Sequence, residues 1–503
     1  MNSKFLTKEK INKLKHTNKK IVLCHGVFDL FHIGHLNHIN EAKKYGDVLI
    51  ISLTSDRYVN KGPGRPFFNL EKRMRLMAAI ENIDYVVASD SPDAVNNINK
   101  IKPDIYFKGP DYKSVKDDFT GFIKKEINAV KKNKGKIIYS SGDVYSSSVL
   151  INKISDFTYD QRKIIDYVNK NYSFSTISEK INKKIKKLKI LLIGEMIVDR
   201  FVFCSALGKS GKESILNLEK KKTMEIVGGV GAVANHLSNF AKKINVVTYL
   251  GSYNDKIKFI NKNKKKNIVL NYIRKNSSPT IVKTKIIDTS NNSKLLGLYE
   301  FNDKALLGKE EKLILSKIRQ KINSSDIVMV SDYGHGLISS KISKFLLKKQ
   351  KSIFNTQLNS GNYGYHTIGK YKNSAWAVIN EVELRHELRD RYSDIKKLMV
   401  NLSKKLHIKN LIVTAGKNGS YYYNANDKKF MHCPAFAIKI VDKIGAGDSF
   451  MAIFAIMKYC FPNDIRLSLF LASLGVLQVL EGFGNEKHIK LTDLLKAIKY
   501  ILK

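Results

Sequence analysis

Cysteine is scarce in this chain, acidic residues are outnumbered, and no long apolar run occurs. Four cysteines appear in 503 residues, Cys24, Cys204, Cys433 and Cys460. None are spaced as CxxC, so neither a disulfide framework nor a zinc site is indicated. The most apolar windows, 450–461 and 467–480, are interrupted by Lys458 and Gln478 and fall short of the ~18 apolar residues of a membrane span. The opening segment MNSKFLTKEKINKLKH has no apolar stretch of the kind a secretory signal needs. The expectation is a protein without a membrane span, in a reducing, cytoplasmic compartment. Asp and Glu number 45 against 88 Lys and Arg, a formal charge of +43. Such a charge suits a polyanionic partner. The lysines, however, are spread along the whole chain and form no basic stripe interleaved with aromatics. That distribution favours a compositional bias plus small anionic substrates over a nucleic-acid surface.

What is present fits a globular protein of more than one domain. Hydrophobic residues make up 43% and aromatics 10%, enough for ordinary cores and against disorder. The length predicts two or three domains. A first α/β unit begins at the short apolar strand Ile21–Cys24. A helical pattern follows from Gly34 to Tyr45, then a strand from Val48 to Leu53, which is a βαβ unit and implies a parallel sheet. Further apolar runs at Tyr85–Ala88, Ile105–Phe107 and Lys136–Tyr139 extend it to about residue 152. Residues 153–187 read as a connector, partly helical, with lysines on a solvated face. A second α/β unit, 188–503, starts at Lys189–Gly194. It has strand signals at Ile244–Leu250, Ile327–Ser331, Ala377–Ile379 and Leu411–Thr414. The runs Ile281–Asp288 and Leu295–Glu300 read as a small lid sheet.

The densest motif in the first unit is Gly26-Val-Phe28-Asp29-Leu-Phe-His32-Ile-Gly34-His35. It lies where a strand turns into a helix, a place with exposed N–H groups and a positive helix end suited to phosphate. Three residues apart, His32 and His35 share one helix face and can donate to an α-phosphate as charge builds. Gly34 lets phosphates approach the backbone. Taken alone, HxGH also reads as a chance match or a metal pair, the weaker of the two readings. The whole string resembles the signature of the cytidylyltransferase-like nucleotidyltransferase superfamily. Lys61-Gly-Pro-Gly-Arg65-Pro66, Glu71-Lys-Arg73-Met74, Phe107-Lys108-Gly109-Pro-Asp111-Tyr112 and Gly142-Asp-Val-Tyr-Ser146-Ser147-Ser148 make it similar to the adenylyltransferase half of the bifunctional heptose-phosphate enzymes. The resemblance implies in-line attack of a sugar-phosphate oxygen on an α-phosphorus, with pyrophosphate leaving. It casts His32, His35 and Lys61 as catalytic. Gly26, Phe28, Asp29, Gly34, Lys108, Ser147 and Ser148 would bind nucleotide, and Mg²⁺ would offset the triphosphate charge. Arg65 and Arg73 are anion-binding candidates. Ser-Ser-Ser replaces the family's Ser-Thr-Thr and keeps the hydroxyls.

The second unit carries Asp442-Lys-Ile-Gly445-Ala446-Gly447-Asp448. A small-residue turn feeding a helix makes an anion hole of N–H groups. The adjacent Asp448 carboxylate can take a proton from an attacking hydroxyl; the same string also reads as a helix start with an Asp cap. The motif resembles the catalytic signature of the ribokinase-like (PfkB) carbohydrate kinases. Gly228-Gly229-Val-Gly231-Ala-Val-Ala-Asn235, Asn380-Glu-Val-Glu383 and Thr414-Ala-Gly416-Lys-Asn-Gly419 match further family segments. Gly194-Glu-Met-Ile-Val-Asp199-Arg200 and Ser331-Asp332-Tyr333-Gly334-His335-Gly336 look like heptose kinases. The resemblance casts Asp448 as catalytic. Thr414, Gly416, Gly419, Gly445, Ala446 and Gly447 would contact ATP; Asp199, Gly228, Gly229, Asn235 and Asp332 the sugar; and Asn380 and Glu383 Mg²⁺, indirectly. Two departures stand out. The kinase follows the nucleotidyltransferase, the reverse of the heptose enzymes. In addition, Phe354-Asn355-Thr-Gln357-Leu-Asn359 lacks the Asp-Pro-Lys of the heptose kinases.

The expected fold is therefore two doubly wound parallel-sheet α/β domains, a Rossmann-like nucleotidyltransferase and a ribokinase-like kinase with a small β lid. The expected function is bifunctional synthesis of a nucleotide-activated sugar, ADP-heptose-like, feeding surface polysaccharide or lipopolysaccharide. Substrates would be sugar phosphates and nucleoside triphosphates, with a separate phosphatase between the steps and a homodimer as the oligomer to look for. The alternatives are a CTP-dependent enzyme for a polyol phosphate, a kinase domain that only binds sugar, and a nucleic-acid-binding protein.

Overall fold

The computed structural model describes residues 4–59, 65–109, 122–140, 157–211, 213–349, 351–437, 440, 442, 444–480, 484 and 486–502. The chain divides into two compact units, Met1–Phe157 with Leu495–Lys503, and Thr158–Leu494. The stretch 153–187, read from sequence as a connector, thus contributes its helices to the second unit, and the last nine residues cluster with the first.

The first unit is built on a five-stranded sheet, order β3-β2-β1-β4-β5. The strands are β1 (Ile21–Gly26), β2 (Val48–Thr54), β3 (Tyr85–Ser89), β4 (Ile105–Lys108) and β5 (Lys136–Tyr139), all parallel. Apolar side chains alternate to both faces. Val22, Cys24, Leu49 and Ile51 enter one core and Leu23, Ile50 and Tyr106 the other, the pattern of a sheet covered by helices on both sides. Because β1 is followed in space by β2 on one side and β4 on the other, the strand order reverses between β1 and β4. Ligands of open α/β sheets bind at the carboxyl ends of the strands flanking such a point. Here those ends are Gly26 and Lys108, and β1 runs on into helix α1 (Ile33–Lys43).

The second unit begins with two helices, α2 (Tyr159–Asn171) and α3 (Phe174–Ile185). Thr158 and Gln161 start α2 as a capping box. The two Tyr hydroxyls of α2 and its C-terminus, Tyr167 and Tyr172, donate to Asp464 at 3.0 and 2.8 Å. A nine-stranded sheet follows, order β10-β9-β6-β13-β14-β15-β16-β17-β18. Its parallel part comprises β6 (Lys189–Gly194), β9 (Lys243–Tyr253), β10 (Ile268–Pro279), β13 (Ile327–Asp332), β14 (Ser352–Thr356), β15 (Trp376–Asn380) and β16 (Asn410–Thr414). The antiparallel β17 (Ser420–Asn424) and β18 (Lys429–Cys433) close the edge. Its reversal lies between β6 and β13, whose ends lead into Glu195 and Tyr333. A separate four-stranded sheet, order β12-β11-β7-β8, is formed by β7 (Met196–Lys209), β8 (Leu216–Gly229), β11 (Ile281–Asp288) and β12 (Lys294–Glu300). The helices used below are α4 (Val230–Leu237), α5 (Glu381–Leu388), α6 (Ala446–Cys460) and α7 (Ile465–Leu480). Among the described residues, no helix is long and apolar enough to cross a membrane.

Candidate active sites

In the first unit the loop from β1 to α1 is held in a costly shape. Phe28 and Leu30 have φ of 49° and 47°, a region that side-chain-bearing residues seldom occupy and that persists where surroundings enforce it. The enforcement is visible. Buried Asp29 accepts from the N–H groups of Phe67 and Phe68 at 2.7 and 3.1 Å. Arg73, predicted as an anion contact, instead points wholly inward. It donates to the carbonyls of Phe68, Val27 and Thr54 and pairs with Asp56 at 2.6 Å. A guanidinium with its fork engaged by four acceptors has little left for an anion.

That scaffold presents the two histidines together. Their rings stack with centroids 3.9 Å apart, and both residues are half-buried. His32 starts α1, its Nδ1 accepting from the Gly34 N–H at 3.1 Å. In the neutral ring the proton therefore sits on Nε2, a donor of the kind an α-phosphate needs. Phe28 and Phe31 flank His35 with centroids at 5.4 and 5.7 Å. At Gly26 an added Cβ would meet the Phe28 ring at 3.1 Å. Lys108, at the end of β4, is buried and pairs with Glu126 at 3.0 Å. Burial pulls the Glu126 carboxyl upward, but Lys108 outweighs it and holds it below the usual range. His25, which the motif reading passed over, bonds Ser52 at 2.9 Å. Burial and then Lys108 push it down to about 4, so it is neutral at physiological pH. Lys61, Ser147 and Ser148 lie outside the described residues.

In the second unit Asp448 sits in the first turn of α6, buried. Its Oδ2 accepts from the Tyr333 hydroxyl at 3.0 Å and its Oδ1 from Gln357 Nε2 at 2.6 Å. Burial raises its pKa to about 6, against the two donors. Gly445 precedes the helix with φ 79°, and a Cβ at Gly447 would meet nothing within 4 Å. This is an open turn with N–H groups at a helix mouth, a shape suited to phosphate. Asp442 accepts from Lys294 of β12 at 3.1 Å and from the N–H groups of Ile444 and Gly484. Gly416 and Gly419, with φ of 53° and 83°, shape the turn from β16 to β17 after Thr414.

The predicted sugar contacts divide. Asp199 on β7 is buried, with Lys285 Nζ at 3.8 Å, and it contributes to the pKa of Asp448. Gly228 makes room for it, since a Cβ there would lie 2.2 Å from Asp199 Oδ2. Gly229, φ 54°, starts α4 where a Cβ would strike the Glu195 carbonyl. Asp332 and Asn235 are enclosed by the protein. Asp332 is fully enclosed and accepts from Gly334 N–H, Lys370 and Tyr371 at 3.1, 2.8 and 2.6 Å. Although burial opposes ionisation, Lys370 and His366 keep it below the usual carboxylate range. With its oxygens engaged by the protein, it organises the loop after β13. Asn235 is buried in α4, its amide donating to the Asn263 carbonyl at 3.5 Å.

Asn380 and Glu383, expected near Mg²⁺, form the capping box of α5, each side chain on the other's N–H at 2.8 Å. Glu383 also accepts from Leu358 N–H at 3.2 Å. Among the described residues no group of three or more His, Cys, Asp or Glu is placed to hold a metal. Sequence reasoning missed Glu195 and Gln357. Fully buried Glu195 accepts from the N–H groups of Tyr333, His335 and Leu337, and burial and Asp332 raise its pKa. Its signal was an acidic residue directly after an apolar strand.

The family model of the pfkB family carbohydrate kinases matches residues 187–457, more than half of the chain. The chain belongs to the pfkB family. The N-terminal domain of this pfkB member matches the cytidylyltransferase-like model over residues 23–153. Its N-terminal region is similar to the bifunctional protein HldE of Aliarcobacter butzleri: 40% identity over 141 residues, 27% of this chain and 29% of that protein. HldE of Helicobacter pylori is 36% identical over 154 residues, 30% of this chain and 31% of the relative. The chain thus spans about three-tenths of the length of the curated relatives it matches. The ribokinase of Thermotoga maritima superposes with a TM-score of 0.50 at 19% identity, over 62% of this pfkB protein and 99% of the ribokinase. That likeness concerns the fold.

Proposed function

We propose that the chain is a bifunctional enzyme that makes a nucleotide-activated sugar. The C-terminal domain phosphorylates a sugar or sugar phosphate of the heptose 7-phosphate kind with ATP. The N-terminal domain transfers a nucleotidyl group from a nucleoside triphosphate to a sugar 1-phosphate, giving pyrophosphate and an ADP-heptose-like product. The observation that carries the reading is Asp448, a buried base at an open helix mouth, in one chain with a second helix mouth bearing stacked histidines.

In the kinase step Asp448 accepts the proton of a sugar hydroxyl as that oxygen bonds the γ-phosphorus of ATP and ADP departs. With a pKa of about 6 it is ionised above neutrality and still a competent base. The N–H groups of the Gly445–Gly447 turn meet the phosphate charge, and Asp199 orients the sugar through its hydroxyls. In the nucleotidyl step His32 and His35 donate to the α-phosphate as a sugar-phosphate oxygen attacks and pyrophosphate leaves. Lys61, Ser147 and Ser148 are assigned to the triphosphate by family resemblance. Mg²⁺ is assigned to the nucleotide's own phosphates, since that ion is commonly bound through substrate phosphates and water. A phosphatase acting between the steps would be another protein.

The test is to incubate the protein with ATP or CTP, Mg²⁺ and a panel of six- and seven-carbon sugar phosphates and polyol phosphates, reading products by mass. Sugar bisphosphate and ADP-sugar masses support the reading. CDP-polyol masses would replace the N-terminal assignment. Sugar binding without ADP release would make the second domain a binding module.

A further inference from the structure

The loop after β14 places one uncharged side chain against the proposed base. Gln357 Nε2 lies 2.6 Å from Asp448 Oδ1 while the Tyr333 hydroxyl lies 3.0 Å from Oδ2. A carboxylate accepts only, so the Gln357 atom facing it is the NH₂. Each oxygen of Asp448 thus holds one donor from a different strand end, which fixes the plane of the carboxylate. Each oxygen has a second lone pair, so the pair of contacts leaves room for a substrate hydroxyl.

Gln357 is itself held from three sides. Its N–H donates to the Asp332 carbonyl at 3.0 Å, and its carbonyl accepts from Asn362 Nδ2 at 3.0 Å. The next residue, Leu358, donates its N–H to Glu383 at 3.2 Å. Asn362 also donates to the Tyr333 carbonyl at 2.9 Å, so both clamping residues share one anchor. The enclosed Asp332 and the α5 capping box therefore acquire a common purpose. Both fix the backbone that aims the amide.

We propose that Gln357 is a positioning residue for the kinase reaction, which, with Tyr333, orients the Asp448 carboxylate toward the attacking sugar hydroxyl. This rests on the reading of the second domain as an active kinase. The amide supplies a donor without a charge at a position facing Asp448. The groups that face that carboxylate are Asp199 from β7, Lys283 from β11, Tyr333 after β13, Gln357 after β14 and Glu383 from α5. Gln357 lowers the Asp448 pKa against burial. Its removal moves the acidic limb of the rate profile to higher pH, and an ammonium in its place moves that limb to lower pH.

The experiment compares wild type, Q357L and Q357K in ADP release against pH with the sugar phosphate that wild type turns over best. The expected result is a kcat at least tenfold lower for Q357L with KM for ATP within twofold. Its acidic limb should rise by at least half a pH unit, and that of Q357K should fall. Unshifted limbs in both folded variants would overturn the proposal. A silent wild type would count against the kinase reading instead. In that case ¹³C-carboxyl NMR of Asp-labelled protein, with D448N to assign the signal, reads the Asp448 titration directly. The same shifts support the clamp and their absence refutes it.

Discussion

Deleting the Arg73 side chain would leave three main-chain carbonyls and Asp56 without their donor, in a place where the guanidinium is fully buried. Breaking a buried ion pair from one side costs about 3–5 kcal/mol. R73A is expected near the lower end, because Asp56 is partly exposed. Denaturation should show the first unit melting early with the second unchanged. Glu383 gives a prediction in pH. Burial raises its carboxyl to about 7, whereas a Glu in an unfolded chain titrates near about 4.3. The folded state therefore keeps a proton that the unfolded state releases. That stabilisation is complete below the unfolded value and lost as pH rises through the folded one. The urea midpoint of E383Q should gain on wild type between pH 4.5 and 8, and a constant difference would refute the assignment. At this scale the motif residues were legible from sequence, since spacing sets which side chains share a turn. Their partners were not. Arg73, Lys108 and Asp332 carry charge and stand in motifs, but each is turned into the protein by an acceptor or donor far away in sequence. Contacts such as Arg73 to Val27 or Asp332 to Lys370 depend on the assembled sheet.

Helix α2 is tied to the second unit through Asp464, which accepts from both Tyr167 and Tyr172 and also from the Leu467 N–H at the start of α7. D464A removes the acceptor of all three donors at once. It should speed limited proteolysis within 158–187 several-fold while leaving the α6 site folded, as judged by nucleotide binding. Unchanged cleavage would mean that apolar contacts such as Val168 and Ile177, both fully buried, suffice. The short apolar strands of both sheets were legible because each is buried on two faces and reads as an unbroken run. The long strands β7 and β8 were not foreseen. β8 carries Glu219 and Lys220–Lys222 on exposed positions, so the sequence there resembles a solvated surface segment. Only pairing with β7 makes it a strand. The helical connector was expected, but its allegiance to the second unit was not, since a hydrogen bond across some 290 residues leaves no local trace.

Across the whole molecule two helix mouths stand at two sheet reversals, one in each unit. H35A should abolish nucleotidyl transfer and spare ADP release, and D448N should do the reverse. Loss of both activities from either folded variant would contradict separate sites. Two α/β units were readable because each opens with an apolar strand that ends in a glycine, Gly26 and Gly194. The membership of Leu495–Lys503 in the first unit was not readable, because nothing in an amphipathic terminal helix names the surface it covers.

The ion pair between Lys294 and Asp442 fastens the outermost lid strand to the peptide turn that leads into α6. On the kinase reading proposed above, a carbohydrate beneath the strand and a triphosphate at the turn would be coupled through this one ion pair. K294A should weaken both Michaelis constants in parallel, by several-fold each. A change confined to one would mean that strand and turn travel separately.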